Sequence, residues 1–331
     1  MLKRIAILIL QLVVTGAALF YVFHDDPTQA KVLQALRQSD WRWLLLGWAC
    51  YGLVEVLATV RWQLLLRVQG IVLGWLRAAA IVIIGLFFNL FLPGLVGGDA
   101  MRLYFVFKAA PRQKTRATLS VAIDRLIGLL SLLILAAAVT SLRFGWLSRF
   151  PQTTRITYLA LVIVGVSTLF ALAIFVAAGL AWVKRLPKRF PFRKAIVRAG
   201  GAVRLYGTRP GVCLIALGLT LLAHLAYYLS YYCAAHSLHQ VTGGGPNVLD
   251  FLSVMPLVNT ITGVPVSFGG VGVRETLFQK LLGQLARVPG AAAALAASLG
   301  FAIQASWGLL GGAAYLFLPL GRARTRRRAH S

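Results

Sequence analysis

Eight acidic residues occur in 331, and three of them, Asp99, Asp124 and Glu275, sit within three positions of an arginine in otherwise apolar sequence. Asp99 and Arg102 are three apart, so on a helix they share one face. Asp124 and Arg125 are adjacent, as are Arg274 and Glu275, and neighbours on a helix point about 100° apart, which favours bonding to other elements over bonding to each other. Glu55 stands alone in the middle of an apolar run. A charge in hydrocarbon costs several kcal/mol unless it is paired or wetted, so these groups must meet across elements or line an aqueous cavity. Arginine offers a planar fork of donors that suits phosphate oxygens. Arg102, Arg125 and Arg274 are therefore candidate phosphate-binding residues, with Asp99, Asp124 and Glu275 positioning them or exchanging protons. The same six residues also read as structural ion pairs. Glu55 is a candidate proton-coupling group.

Metal chemistry has no support in the pattern. His224, His236 and His239 lack ligand spacing, and Cys50, Cys213 and Cys233 lie singly in apolar segments and read as small buried hydrophobes. No cofactor motif appears. The composition is 59 % hydrophobic and 13 % charged, with a net charge of +26. The mean hydropathy is +0.79 and the pI about 11.4. Such hydropathy turns the basic pI from a nucleic-acid signal into a topology signal, because Lys and Arg are retained on the cytoplasmic side of a membrane.

These residues need a polytopic helical frame. Uninterrupted apolar spans run over 5–23, 41–61, 119–140, 156–181, 211–235 and 291–318, each near the 20 residues that cross a bilayer. The first follows Lys3 and Arg4 without a small-residue cleavage site and reads as a retained span. Two further apolar regions, 78–107 and 249–285, are interrupted at Pro93–Gly98 and Pro265–Gly272. Loops assigned to the inside hold 23 of the 34 basic residues, including Arg61, Arg67, Arg77, the connection 182–210 and the tail 322–331. Both termini are expected inside, and each interrupted region must leave and return on one side. The expected fold is all-α, with about six spans plus two re-entrant hairpins, or eight or more spans if the hairpins cross. Trp41, Trp43, Trp48 and Tyr227, Tyr228, Tyr231 and Tyr232 read as interfacial anchors. The basic connection 182–210 reads as lying on anionic headgroups.

An offset of 172 places Pro93 on Pro265, Gly97 and Gly98 on Gly269 and Gly270, and Arg102 on Arg274. Three full spans intervene, so the two copies enter from opposite sides, as in transporters built from inverted repeats. Pro93, Gly94, Gly97, Gly98, Pro265, Gly269, Gly270 and Gly272 are expected to break the helices. Asn89 and Asn259 are expected to bond backbone carbonyls freed there. Such breaks belong in the protein interior, where the restarting helices would aim N–H groups at an anion.

The stretches NLFLPGLVGGDAMRLY (89–104), DRLIG (124–128) and PVSFGGVGVRE (265–275) resemble the signatures of the lysylphosphatidylglycerol synthase transmembrane region, also called the flippase-like or UPF0104 membrane family. The resemblance covers roughly 5–318, a single transmembrane domain within 1–321. It places Asp99 and Arg102 at GGD-x-x-R, Asp124 and Arg125 at DR, and Gly269, Gly270, Gly272 and Glu275 at GG-x-G-x-x-E; Phe268 stands where a second proline is common. It implies a bacterial inner-membrane protein that is not an enzyme and moves a lipid between leaflets, with anionic phospholipid or polyprenyl phosphate as partner and protein partners unknown. A membrane-embedded lipid-modifying enzyme and a non-transporting scaffold of envelope-lipid synthesis are the alternatives. The short Arg-rich tail leads us to expect no soluble aminoacyltransferase domain.

Overall fold

A computed structural model describes residues 37–91, 96–179, 201, 203–238, 246–264 and 270–317. Its elements are α1 (Trp41–Val68), α2 (Trp75–Phe91), α3 (Val96–Ala109), a 3-10 turn (Pro111–Gln113), α4 (Lys114–Leu147), α5 (Pro151–Gly179), α6 (Pro210–His236), α7 (Val248–Thr262), α8 (Val273–Leu285) and α9 (Gly290–Phe317). Among the described residues five helices are long and apolar enough to cross a membrane: α1, α4 with its preceding turn, α5, α6 and α9. The chain is thus an all-α polytopic membrane protein. The expected span 5–23 lies outside the described residues, as do Pro93, Gly94, Pro265, Gly269, the connection over 182–200 and the tail.

Side-chain pairings fix the direction of each helix. From α1 to α6 the Asp40 N–H donates to the Ser237 carbonyl (2.8 Å), Tyr51 faces Tyr227, and Arg61 Nη1 donates to Thr220 Oγ1 (3.0 Å). One number rises as the other falls, so the two helices are antiparallel. Gly47 meets Ile303 and Gly52 meets Trp307, which makes α9 parallel to α1. Helix α2 runs against α9: Leu90 packs on Gly308, and a Cβ on Gly311 would run into the Ile83 carbonyl. Only a bare glycine allows two backbones that close.

Both interrupted regions form antiparallel helix pairs. In the first, Gly98 of α3 lies on Gly85 and Asn89 of α2. In the second, Gly270 lies beside Thr262 and Phe278 faces Phe251 at 6.1 Å. The offset of 172 carries 75–91 onto 247–263, one residue wider at each end than α7. It carries the start of α3 onto 268, whereas α8 begins at Val273. The delay has a backbone cause, since Gly270 (φ 76°) and Gly272 (φ 83°) are left-handed and hold off the helix. Gly97 and Gly98 correct the expectation of a break: they form part of the first turn of α3 and serve close approach instead.

The two pairs reach α9 from opposite ends. Leu90, near the end of α2, touches Gly308. On the other side Tyr231, beneath Arg274, covers Gly300, and Ser298 bonds Glu275. Gly300 and Gly308 are about 12 Å apart along a helix axis at 1.5 Å per residue. Each pair also has its own core. One contains Trp62, Ile81, Ile84 and Val106, and the other Tyr231, Phe251, Phe278 and Leu281.

Candidate functional site

The first charged cluster lies where α1, α3, α4 and α6 converge. Asp124 of α4 is buried and receives a two-pronged bond from Arg61 of α1, Nε to Oδ1 at 2.6 Å and Nη2 to Oδ2 at 2.9 Å. Arg102 of α3 adds a single contact to Oδ2 at 3.3 Å and lies over the Trp62 ring at 5.5 Å. Beside them Arg125 Nε donates to Asp99 Oδ2 at 2.7 Å. Depth separates the two pairs: the Arg125 side chain is 42 % exposed and those of Arg61 and Arg102 each 13 %. Arg125 is thus the more accessible of the two arginines and Arg102 the deeper.

Arg61 is the member of this charged cluster that sequence reasoning missed. The apolar run weakens at RWQ, which reads as its end and puts Arg61 among the inside-loop charges, but α1 continues to Val68 and leaves the side chain only 13 % exposed. The usable signal was the run LLL directly after Gln63, which carries the helix onward.

The second cluster surrounds the start of α8. Arg274 is buried, with its guanidinium over Phe301 of α9 (4.9 Å) and Tyr231 of α6 (5.7 Å). Glu275 turns another way: Oε2 accepts the Gly272 N–H at 2.6 Å and Oε1 accepts the Ser298 hydroxyl at 3.1 Å. The adjacent pair therefore diverges to different elements: one oxygen of Glu275 caps the N-terminus of its own helix and the other ties that end to α9. Outside this cluster Arg143 Nη1 binds Asp250 at 2.8 Å, and Asp250 and Asn247 form the capping box of α7. That ion pair ties the entry of the second helix pair to α4.

At the start of each restarting helix one amide is already engaged. The Gly98 N–H is taken by Asn89 Oδ1 at 2.8 Å, and the Gly272 N–H by Glu275. Asn89 thus accepts from an amide where a bond to a freed carbonyl was expected. Asn259 lies within α7, where its own carbonyl accepts the Gly263 N–H at 3.0 Å.

A line of polar side chains joins the two clusters. Glu55, buried on α1, is within electrostatic reach of Arg102 and Arg61 on one side and Tyr51 on the other. Tyr51 in turn faces Tyr227, whose hydroxyl donates to Tyr231 at 3.3 Å, below Arg274. The tyrosines at 227, 228 and 231 thus pack inside the bundle, whereas the sequence suggested interfacial anchors. Trp41, at the start of α1, is 62 % exposed. Among the described residues no group of His, Cys, Asp and Glu is arranged to hold a metal.

A family model described as the lysylphosphatidylglycerol synthase TM region matches residues 8–312. The UPF0104 membrane protein MJ1595 of Methanocaldococcus jannaschii is 25 % identical over 126 residues, which cover 38 % of this chain and 36 % of that protein. The aligned stretch is thus about a third of that relative's length. The family match takes in both helix pairs, both arginine clusters and all the long helices save the end of α9. The chain belongs to the family of the lysylphosphatidylglycerol synthase transmembrane region.

Proposed function

We propose that the protein moves a phosphate-bearing lipid headgroup between leaflets, with the tails left in the bilayer. The observation that carries this reading is the approach of two helix pairs from opposite ends of α9, each bringing a buried arginine, Arg102 or Arg274, toward the same interior. Irregular backbone at membrane depth is stable only against protein or a wet cavity, and opposed interrupted helices with cations are the usual build of a site reached alternately from two sides. In this reading Arg125 and Arg102 meet the phosphate from one leaflet and Arg274 from the other. Asp124 and Glu275, with both oxygens engaged, act as positioning groups rather than as acid or base, so no covalent step is assigned.

The architecture that goes with it is six full spans, counting 5–23, and two re-entrant hairpins forming an inverted repeat in one domain over 1–321. The connection 182–210 and the tail 322–331 face the cytoplasm of a bacterial inner membrane, with both termini inside. Anionic phospholipid and polyprenyl phosphate are the lipid partners considered.

The test is leaflet exchange in liposomes of labelled phosphatidylglycerol, its lysyl derivative and a short polyprenyl phosphate. The parent should exchange at least one of them. Arg102→Ala and Arg274→Ala should each slow it about tenfold or more, the worth of one charge-assisted bond. No exchange of any lipid by folded parent, or exchange indifferent to both substitutions, would overturn the proposal.

A further inference from the structure

Glu55 has no assigned part in the headgroup contacts, yet it is the acid placed at the centre of a spanning helix, midway between Trp41 and Val68. It is 8 % exposed, and its carboxyl makes no hydrogen bond among the described residues; Thr59 Oγ1 bonds only its backbone carbonyl. A fixed negative charge so placed is costly unless cations answer it. Arg61 on its own helix and Arg102 on α3 do so through space. Asp124 of α4 competes for both of those guanidiniums. Tyr51 lies one turn back, with Tyr227 and Tyr231 of α6 and Arg274 of α8 beyond it. His224 of α6 faces Arg61. Helix α9 carries no charged residue, and α2 carries only Arg77, in its first turn.

The charges of this neighbourhood can be counted. Arg61, Arg102 and Arg125 stand against Asp99, Asp124 and Glu55, so the six groups are neutral when Glu55 is ionised. Protonating Glu55 leaves one positive charge over, and a phosphodiester carries one negative charge. The guanidinium free to be re-aimed is that of Arg102, held to Asp124 by one 3.3 Å contact where Arg61 has two shorter bonds.

We infer that one proton travels with each monoanionic phosphodiester headgroup, and that the Glu55 carboxyl is its binding position. The inference rests on the translocation reading above and names the substrate's charge. As the phosphate takes Arg102, Glu55 loses its nearest compensation and accepts a proton from the water that entered with the headgroup. When the phosphate leaves, Arg102 returns and the proton is released to water on the other side, by way of the Tyr51, Tyr227 and Tyr231 hydroxyls that lead toward Arg274. No bond other than O–H is made or broken. Crossing is electrically silent for a phosphodiester, whereas a dianionic monophosphate crosses with one charge uncompensated.

Two measurements on the full-length protein test this. Calorimetry of short-chain phosphatidylglycerol binding, in buffers of different ionisation enthalpy, should report uptake of about one proton per lipid at a pH where Glu55 is ionised. Glu55→Gln should bind the lipid with no uptake, and Glu55→Asp should restore it should the glutamine variant fail to fold. In liposomes with a lumenal pH dye, an imposed pH gradient should accelerate exchange of labelled phosphatidylglycerol several-fold, and a potassium diffusion potential should not. Binding by the parent without proton uptake, or uptake that persists in Glu55→Gln, would overturn the inference. Exchange that stays sensitive to Arg102→Ala but indifferent to the pH gradient removes the coupling alone. Absence of exchange by folded parent removes translocation and coupling together.

Discussion

At the residue scale the two acids beside α3 are unequal. Asp124 is buried and neutralises Arg61 and Arg102, while Asp99 pairs with the half-exposed Arg125. Removing one partner of a buried pair leaves an uncompensated charge, so Asp124→Ala should lower stability by about 3–5 kcal/mol. Asp99→Ala, whose arginine partner reaches the surface, should cost at most about 1 kcal/mol. Thermal unfolding of the two variants in the same detergent checks the order, and equal losses would contradict the placement of Asp124 at the centre. Sequence spacing identified Asp124 and Arg102 as charges in need of partners, but it could not pair them. Arg61 and Asp124 are 63 positions apart, and their charges cancel only after α1 and α4 have packed. The same limit hid Ser298 and Tyr231, whose side chains are ordinary in sequence and specific only beside Glu275 and Arg274.

At the element scale, glycines decide how closely the helix pairs close. A Cβ on Gly98 would strike the Gly85 carbonyl and lie 2.7 Å from the Asn89 side chain. Gly98→Ala should therefore cost about 1–3 kcal/mol by overpacking and loosen α3 from α2. Gly128, with open space around its Cβ position, is the control. Gly128→Ala should be neutral or stabilise by up to about 1 kcal/mol, since alanine is the better helix former. Unfolding midpoints in denaturant read both, and a tolerated alanine at 98 would show the approach to be incidental. The duplicated pattern of proline, paired glycine and arginine made the interrupted regions legible, and its offset places α7 within a residue of where α2 predicts it. It could not show that Gly98 and its counterpart Gly270 act differently. That depends on backbone angles, helical at Gly98 but left-handed at Gly270, which sequence identity does not encode.

At the scale of the whole molecule, charge counting gives an expected parity for the long spans but says nothing of the depth of the interrupted ones. Depth comes from contacts with α9, which measure both pairs against one ruler. Exposed Lys108 closes the first pair and exposed Lys280 lies on the second. With Cys50, Cys213 and Cys233 replaced by alanine, Lys108→Cys should react with a membrane-impermeant maleimide only in inside-out vesicles, and Lys280→Cys only from the outer face. Labelling of both from one side would refute opposed entry. The interval between Gly300 and Gly308, about 12 Å of axis, is under half of a roughly 30 Å hydrocarbon layer. In the translocation reading, where water follows each pair inward, the membrane voltage would fall mainly across that interval, and any unbalanced charge moved over it would do most of the electrical work of the bilayer in one short stroke.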